Sequence, residues 1–222
     1  ARPICEFFRL IFDSGVIPDI WKHAFVIPVY KKGKPCLVEN YRPISLTSVL
    51  CKLFERIIKL DLTTYLYEND LISSSHHGFV SKHSTGTNLL ESLNDWTMSI
   101  RDGFHSRVVY IDFSKAFDSV SHSKLLYKLS RFGVCGNLLT VLSSYLSNRT
   151  QQVCVENVLS TSREVISGVP QGSVLGPLLF IIYINDVVNL CPDSIVTKLF
   201  ADDVKLYTEI QSEVDYRNIQ SS

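Results

Sequence analysis

Long apolar runs are missing from this chain of 222 residues. None reaches the roughly 18 residues that a membrane-crossing helix needs, and no secretory leader opens the chain. The six cysteines, Cys5, Cys36, Cys51, Cys135, Cys154 and Cys191, are scattered without a CxxC pair. That argues against a zinc site and, without a leader, against a disulfide framework. His76, His77 and His83 lie close in sequence, but no cysteine pair completes a ligand set, so they are expected to be solvated loop residues. Internal repeats and low-complexity segments are also absent. Net charge is zero, with 22 bases against 22 acids, so no overall basic field announces a nucleic-acid partner. The chain opens on Ala1 and closes on a polar tail after Tyr207, and both ends are expected to have been cut from something longer.

What is present is enough to build a core. Hydrophobic residues make up 45%, with 12 Phe and 10 Tyr, which excludes a disordered chain and fits one large domain or two subdomains. Charge is uneven in spite of the zero balance. Eight bases (Lys22, Lys31, Lys32, Lys34, Arg42, Lys52, Arg56 and Lys59) face two acids (Glu39 and Glu55) between positions 22 and 59. A solvated face and a phosphate-contacting patch are both open readings.

Periodicity and breakers divide the chain. Ile4 to Asp13 is an amphipathic helix, closed by Ser14-Gly15. Ala24 to Tyr30 is a strand, placed at a sheet edge because Pro28 cannot donate to a ladder. A basic turn from Lys31 to Pro35 leads back through Tyr41-Arg42-Pro43-Ile44, making a flexible arm that presents Lys31, Lys32 and Arg42. Ser45 to about Tyr67 is a helix capped by Ser45 or Thr47, with Val49, Leu50, Leu53, Phe54, Ile57 and Ile58 inward. After a polar loop from Ser73 to Ser84 come helices over Thr85 to Ile100, Ser121 to Phe132 and Asn137 to Leu146, then a hairpin from Gln151 to Ile166.

Three stretches carry chemistry. In Thr197-Lys198-Leu199-Phe200-Ala201-Asp202-Asp203-Val204-Lys205-Leu206-Tyr207, two strands flank a tight turn that bears adjacent acids. Such neighbours repel, and a divalent cation is the usual counterweight, although an acidic turn in solvent reads the same way. In Val108-Val109-Tyr110-Ile111-Asp112, an apolar strand again ends in an acid. Three carboxylates from distant stretches are a ligand set for two hard cations in phosphoryl transfer. Ser167-Gly168-Val169-Pro170-Gln171-Gly172-Ser173-Val174-Leu175-Gly176-Pro177 is a rigid turn feeding an apolar helix over Leu178 to Val188, with Gln171 at a tip open to a ligand. The element order from Asp112 onward matches an antiparallel sheet backed by helices, an α+β layer.

Asp112-Phe113-Ser114-Lys115-Ala116-Phe117-Asp118, Gly168 to Pro177 and Phe200-Ala201-Asp202-Asp203 resemble blocks of the reverse transcriptases of non-LTR (LINE-like, jockey/CR1-type) retrotransposons. Tyr41-Arg42-Pro43-Ile44-Ser45-Leu46 and His77-Gly78-Phe79 with Ser84-Thr85 resemble that family's earlier blocks, in the same order. The resemblance implies an α+β right-hand fold with fingers and palm, the thumb missing. It places fingers and part of the palm in 1–105, the acid-bearing palm in 106–210, and a truncated tail before the thumb in 211–222. It implies catalytic acids Asp112, Asp202 and Asp203 on two Mg²⁺ ions, with Mn²⁺ as a substitute. It assigns Arg42, Lys31 and Lys32 to the nucleotide's triphosphate, and Gln171 and Gly172 to the turn against nucleotide and template. Phe117 takes the place of an aromatic beneath the sugar, where a ring would exclude a 2′-hydroxyl. The implied partners are an RNA template, a DNA primer and dNTP, inside the cell (nucleus or cytoplasm) and not secreted, with no membrane. Without a thumb, weak or no synthesis is expected. The alternatives are a group II intron-type reverse transcriptase, a viral RNA-dependent RNA polymerase, an inactive nucleic-acid-binding remnant and a metal-dependent nuclease.

Overall fold

Apolar stretches of the chain bury themselves in two compact units, the first built from Ala1–Asn69 and Phe117–Ile182, the second from Asp70–Ala116 and Tyr183–Ser222. The computed structural model describes residues 2–212 together with 214, 215, 217 and 219, so part of the tail expected at 211–222 lies outside the described residues. In chain order the elements begin with α1 (Arg2–Ser14), α2 (Asp19–Lys22), β1 (His23–Tyr30), β2 (Tyr41–Leu46) and α3 (Val49–Glu68). Next come α4 (Thr85–Arg101), β3 (His105–Asp112), α5 (His122–Arg131), α6 (Gly136–Leu146), β4 (Arg149–Val155), β5 (Val158–Leu159) and β6 (Arg163–Val165). The last are α7 (Gly176–Ile184), β7 (Val196–Phe200) and β8 (Asp203–Ile210).

The first unit has a sheet of order β2-β1-β4-β5, with β6 also on β4. Its helical core gathers the rings of Phe8, Trp21 and Phe54, with centroids 5.3 to 6.2 Å apart. Leu178 to Ile182 of α7 are all buried, as an all-round apolar helix must be. The expected apolar helix over Leu178 to Val188 is α-helical only to Ile184 and continues as 3₁₀ turns over Asn185–Leu190.

Two expectations are corrected in this unit. β1 is an edge strand only in its second half. His23 to Val26 pair with β4 on one side while β2 pairs on the other. Pro28 lies past the point where β4 has parted, opposite Pro43, so neither proline interrupts a ladder. The second correction concerns α3, which starts at Val49 after Ser48, with no side-chain cap. Ser45 and Leu46 extend β2 instead, opposite Val26 and Phe25, because pairing with β1 wins over an early helix start. The buried stripe of α3 is Cys51, Phe54, Glu55, Ile58, Leu62 and Leu66. Val49, Leu50, Leu53 and Ile57 are exposed. A stripe around Phe54 and Ile58 can turn to either side, and here it turns to bury an acid.

The second unit is an antiparallel sheet, β3-β8-β7, backed by α4. Ile195, Leu199, Val204, Leu206 and Ile219 form its core, with Val109, Val188 and Cys191 packed against them. Tyr207 and Lys205, on alternate positions of β8, meet α4. Trp96 packs edge-on to Tyr207 at 5.7 Å, the Tyr207 hydroxyl donates to Asp95 at 2.5 Å, and the Lys205 ammonium lies 5.5 Å above the Trp96 ring. A reciprocal Ser84–Thr87 capping box starts α4, close to the expected boundary.

Two of the three loop histidines, His76 and His77, are not solvated, and His83 is half-buried. His76 is 0% exposed and His77 is 1% exposed. Backbone pairing draws them in: the Leu199 amide donates to the Ser75 carbonyl at 2.9 Å, and the His77 amide donates to the Leu199 carbonyl at 2.8 Å. The segment thus runs along the free side of β7, and its imidazoles follow it inward. Burial lowers the pKa of His76 to about 4.

Candidate active site

Asp112 ends β3 and Asp203 begins β8, and the two are direct partners across the antiparallel ladder. Directly opposed residues share a face of the sheet and stand close. Asp202 precedes Asp203 in the two-residue turn from β7, where Ala201 takes a left-handed backbone at φ 55°. An alanine there is strained by on the order of 1 kcal/mol. Asp112 and Asp203 are exposed and Asp202 is half-buried. Partial burial, and then the negative charges of Asp202 and Asp112, hold the Asp203 carboxyl above the usual aspartate range. Asp202 and Asp112 therefore raise the cost of ionising Asp203, which is the condition a cation relieves. Among the described residues no three carboxylate, imidazole or thiolate side chains form a finished metal cage. Mg²⁺ does not require one, since it is held by one or two carboxylates together with substrate phosphates. The donor set fits such an ion.

The first unit holds the other candidates. Phe117 lies in a 3₁₀ turn, Ala116–Ser119, with its ring stacked on Phe180 at 4.3 Å and its carbonyl accepting from the Val169 amide at 2.9 Å. The side-chain amide of Gln171 donates to Asp118 at 3.2 Å, and the Gln171 carbonyl accepts from the Ser45 amide at 2.7 Å. Gly172 sits at φ 116°, and a Cβ there would meet the Ser45 carbonyl oxygen at 2.7 Å, so only glycine allows this approach to β2. A cavity of about 200 Å³ opens beside this turn, lined in part by Ala24, Val26, Pro43, Ser45, Asp118 and Gln171.

Lys31, Lys32 and Arg42 are all exposed on the arm made by β1, β2 and their connection. The connection is knit together by hydrogen bonds and is not a loose arm. The Lys31 amide donates to Asn40, the Tyr30 hydroxyl to Gly33 and the Asn40 side chain to Lys34. Arg42 pairs opposite Val29, which puts it on the other face of β2 from Pro43 and Ser45, away from the cavity. Lys22, counted with the basic stretch, is buried and pairs with Asp19 at 3.5 Å.

Glu55 escaped the sequence reading. It is 1% exposed and accepts from the Val174 and Leu175 amides at 2.7 and 2.9 Å. The available signal was one acid inside an apolar helical stripe, between Phe54 and Ile58.

A family model described as reverse transcriptase (RNA-dependent DNA polymerase) matches residues 29–220. The RNA-directed DNA polymerase from mobile element jockey of Drosophila melanogaster is 34% identical over 218 residues, covering 93% of this chain and 24% of the relative. The probable RNA-directed DNA polymerase from transposon BS of the same organism is 35% identical over 212 residues, covering 90% and 23%. The chain thus spans about a quarter of the length of these relatives. Among solved structures, apo telomerase from Candida tropicalis superposes with a TM-score of 0.65 at 11% identity, covering 99% of this chain and 45% of the other. Telomerase from Candida albicans with a fragment of telomeric RNA gives 0.63 at 13% identity, covering 97% and 42%. At such identities the likeness is one of fold, and it places the mixed helices and sheets among reverse-transcriptase architectures. Among the described residues no helix is long and apolar enough to cross a membrane.

Proposed function

The chain belongs to the reverse transcriptase (RNA-dependent DNA polymerase) family, and from that premise we propose that it carries the chemical centre of RNA-directed DNA synthesis for a non-LTR retrotransposon, inside the cell. The observation that carries the reading is Asp112 directly opposite Asp203, with Asp202 beside them in a strained turn. Asp112, Asp202 and Asp203 would hold two Mg²⁺ ions, which supply Lewis-acid activation of the primer hydroxyl and charge neutralisation at the leaving pyrophosphate. The protein's own residues do the positioning. Gln171 and Gly172 offer a backbone-tight turn for the nucleotide and template. Phe117 backs the sugar. Arg42, Lys31 and Lys32 meet the triphosphate from the arm, where guanidinium and ammonium groups pair with phosphate oxygens. The RNA template is the partner that relatives named as RNA-directed polymerases point to.

Primer extension on an RNA template tests the proposal. At most weak, Mg²⁺-dependent incorporation of dNTP is expected from the parent, and Asp202→Asn should lower it by on the order of a thousandfold, the loss of several kcal/mol of charge stabilisation. Thermal unfolding supplies a readout without chemistry. Mg²⁺ should raise the parent's midpoint, as any ligand of the native state does, and should not raise that of Asp202→Asn. Extension that survives Asp202→Asn would remove these acids from the reaction.

A further inference from the structure

We propose that Glu55 is a positioning residue that fixes the Gln171 turn from beneath and thereby sets how firmly the turn engages the nucleotide. The inference rests on the role given above to Gln171. A carboxylate 1% exposed needs partners, because an unpaired buried charge is costly. Glu55 has them. One oxygen accepts from the Val174 and Leu175 amides, and the other accepts from the Cys51 thiol at 3.4 Å. Burial, and then the Glu55 charge, push the Cys51 thiol up, so that thiol stays a donor and is not a competing anion. The buried Arg149 guanidinium adds positive field to the same neighbourhood and donates to the Tyr145 carbonyl at 3.0 Å.

The two amides are groups that α7 cannot satisfy itself, since they precede its first turn. The Gly176 amide, next along, is taken by the Ser173 hydroxyl at 2.9 Å. Gln171 itself is held at the other side by the Ser45 amide. The stretch from Gln171 to Leu175 is therefore pinned at both ends, to β2 by one backbone bond and to α3 by a charged pair of bonds. Charge-assisted bonds are the stronger kind, and in Glu55→Gln the side-chain oxygen would accept from the same two amides without the charge while its NH2 turned toward the Cys51 thiol. A merely apolar contact would fill the same space without fixing the turn's backbone.

Amide hydrogen exchange and single-nucleotide kinetics test this together. In the parent, Val174 and Leu175 should exchange as slowly as the interior of α3. In Glu55→Gln both should exchange about 10- to 100-fold faster, the loss expected for bonds to a charged acceptor. In primer extension Glu55→Gln should raise the nucleotide KM about tenfold, with kcat changed by less than about threefold. Added to Gln171→Ala, it should lower kcat/KM by less than about twofold more, because both act through one contact. Fast exchange at Val174 and Leu175 in the parent would overturn the proposal even if the variant does not fold, as would unchanged exchange in Glu55→Gln. Fully multiplicative losses in the double variant would overturn it too. A parent that extends no primer and whose unfolding midpoint Mg²⁺ does not raise would sink the polymerase reading instead, and the exchange measurement would still decide whether Glu55 holds the turn.

Discussion

Phe117 is the residue on which sugar choice turns in this reading. Its ring is anchored from behind, nearly parallel to Phe180 at 16°, and Phe180 is itself 1% exposed. Phe117 itself is half-buried. Anchoring matters, because a gate excludes a hydroxyl only if it cannot swing aside. Phe117→Ala is expected to raise ribonucleotide over deoxyribonucleotide incorporation at least tenfold, read as a ratio in primer extension. It should also cost about 2 kcal/mol of stability through lost stacking and burial. The ratio separates gating from packing, since a general loss of stability lowers both rates alike. Asp112, Asp202 and Asp203 were legible as a set because each strand announces its end with an apolar run followed by an acid. Glu55 and His76 were not, because burial of a polar side chain depends on which distant backbone closes over it.

At the scale of elements, the β7–β8 turn is held in its strained form by the segment beside it. Gly78 follows the two buried histidines, and a Cβ built on it would lie 2.3 Å from the Ala201 amide nitrogen. The neighbour is backbone, so it cannot swing away as a flexible side chain can. Gly78→Ala is therefore expected to push the Ala201-Asp202 turn outward, lowering stability by about 1–3 kcal/mol. Primer extension should fall at least tenfold, because Asp202 moves relative to Asp112. Unfolding and extension measured on one preparation check it; a variant with normal activity would show that the turn tolerates displacement. Elements were readable where local chemistry decides them. The Ser84–Thr87 cap, the Ser121 cap of α5 and the Gly133 stop after it all lie within a few residues of what they control. They were misread where pairing decides: Ser45 joined a strand because β1 was available to it, and Pro28 sat harmlessly where β4 had already left.

For the whole molecule the buried imidazoles make stability depend on pH. His76 titrates near 6.5 in an unfolded chain and near 4 when folded, because burial disfavours its charged form. The folded pKa is the depressed one, so the unfolded chain binds the extra proton between these values. The contribution is complete above pH 6.5, shrinks as pH falls, and is fully lost below about 4. For one such group the loss between pH 7 and pH 5 is about 2 kcal/mol, or roughly 5 °C in the unfolding midpoint of a chain this size. His77 is also held low, mainly by burial, although Glu91 favours its charged form, and it adds in the same direction. Asp203 works the other way. Its raised pKa means the folded chain takes up the proton first, so acid relieves the repulsion with Asp202 and Asp112 near and above the usual aspartate range. His76→Leu isolates the larger effect, because it removes the buried titrating ring while leaving the backbone pairing of Ser75 and His77 with Leu199. Near pH 7 the variant should be within about 1 kcal/mol of the parent, as volume-conserving core exchanges usually are. At pH 5 the difference should have shifted in the variant's favour by about 2 kcal/mol, measured by urea unfolding at the two pH values. Equal acid sensitivity in the two chains would mean that His76 is not the group that protonates on unfolding.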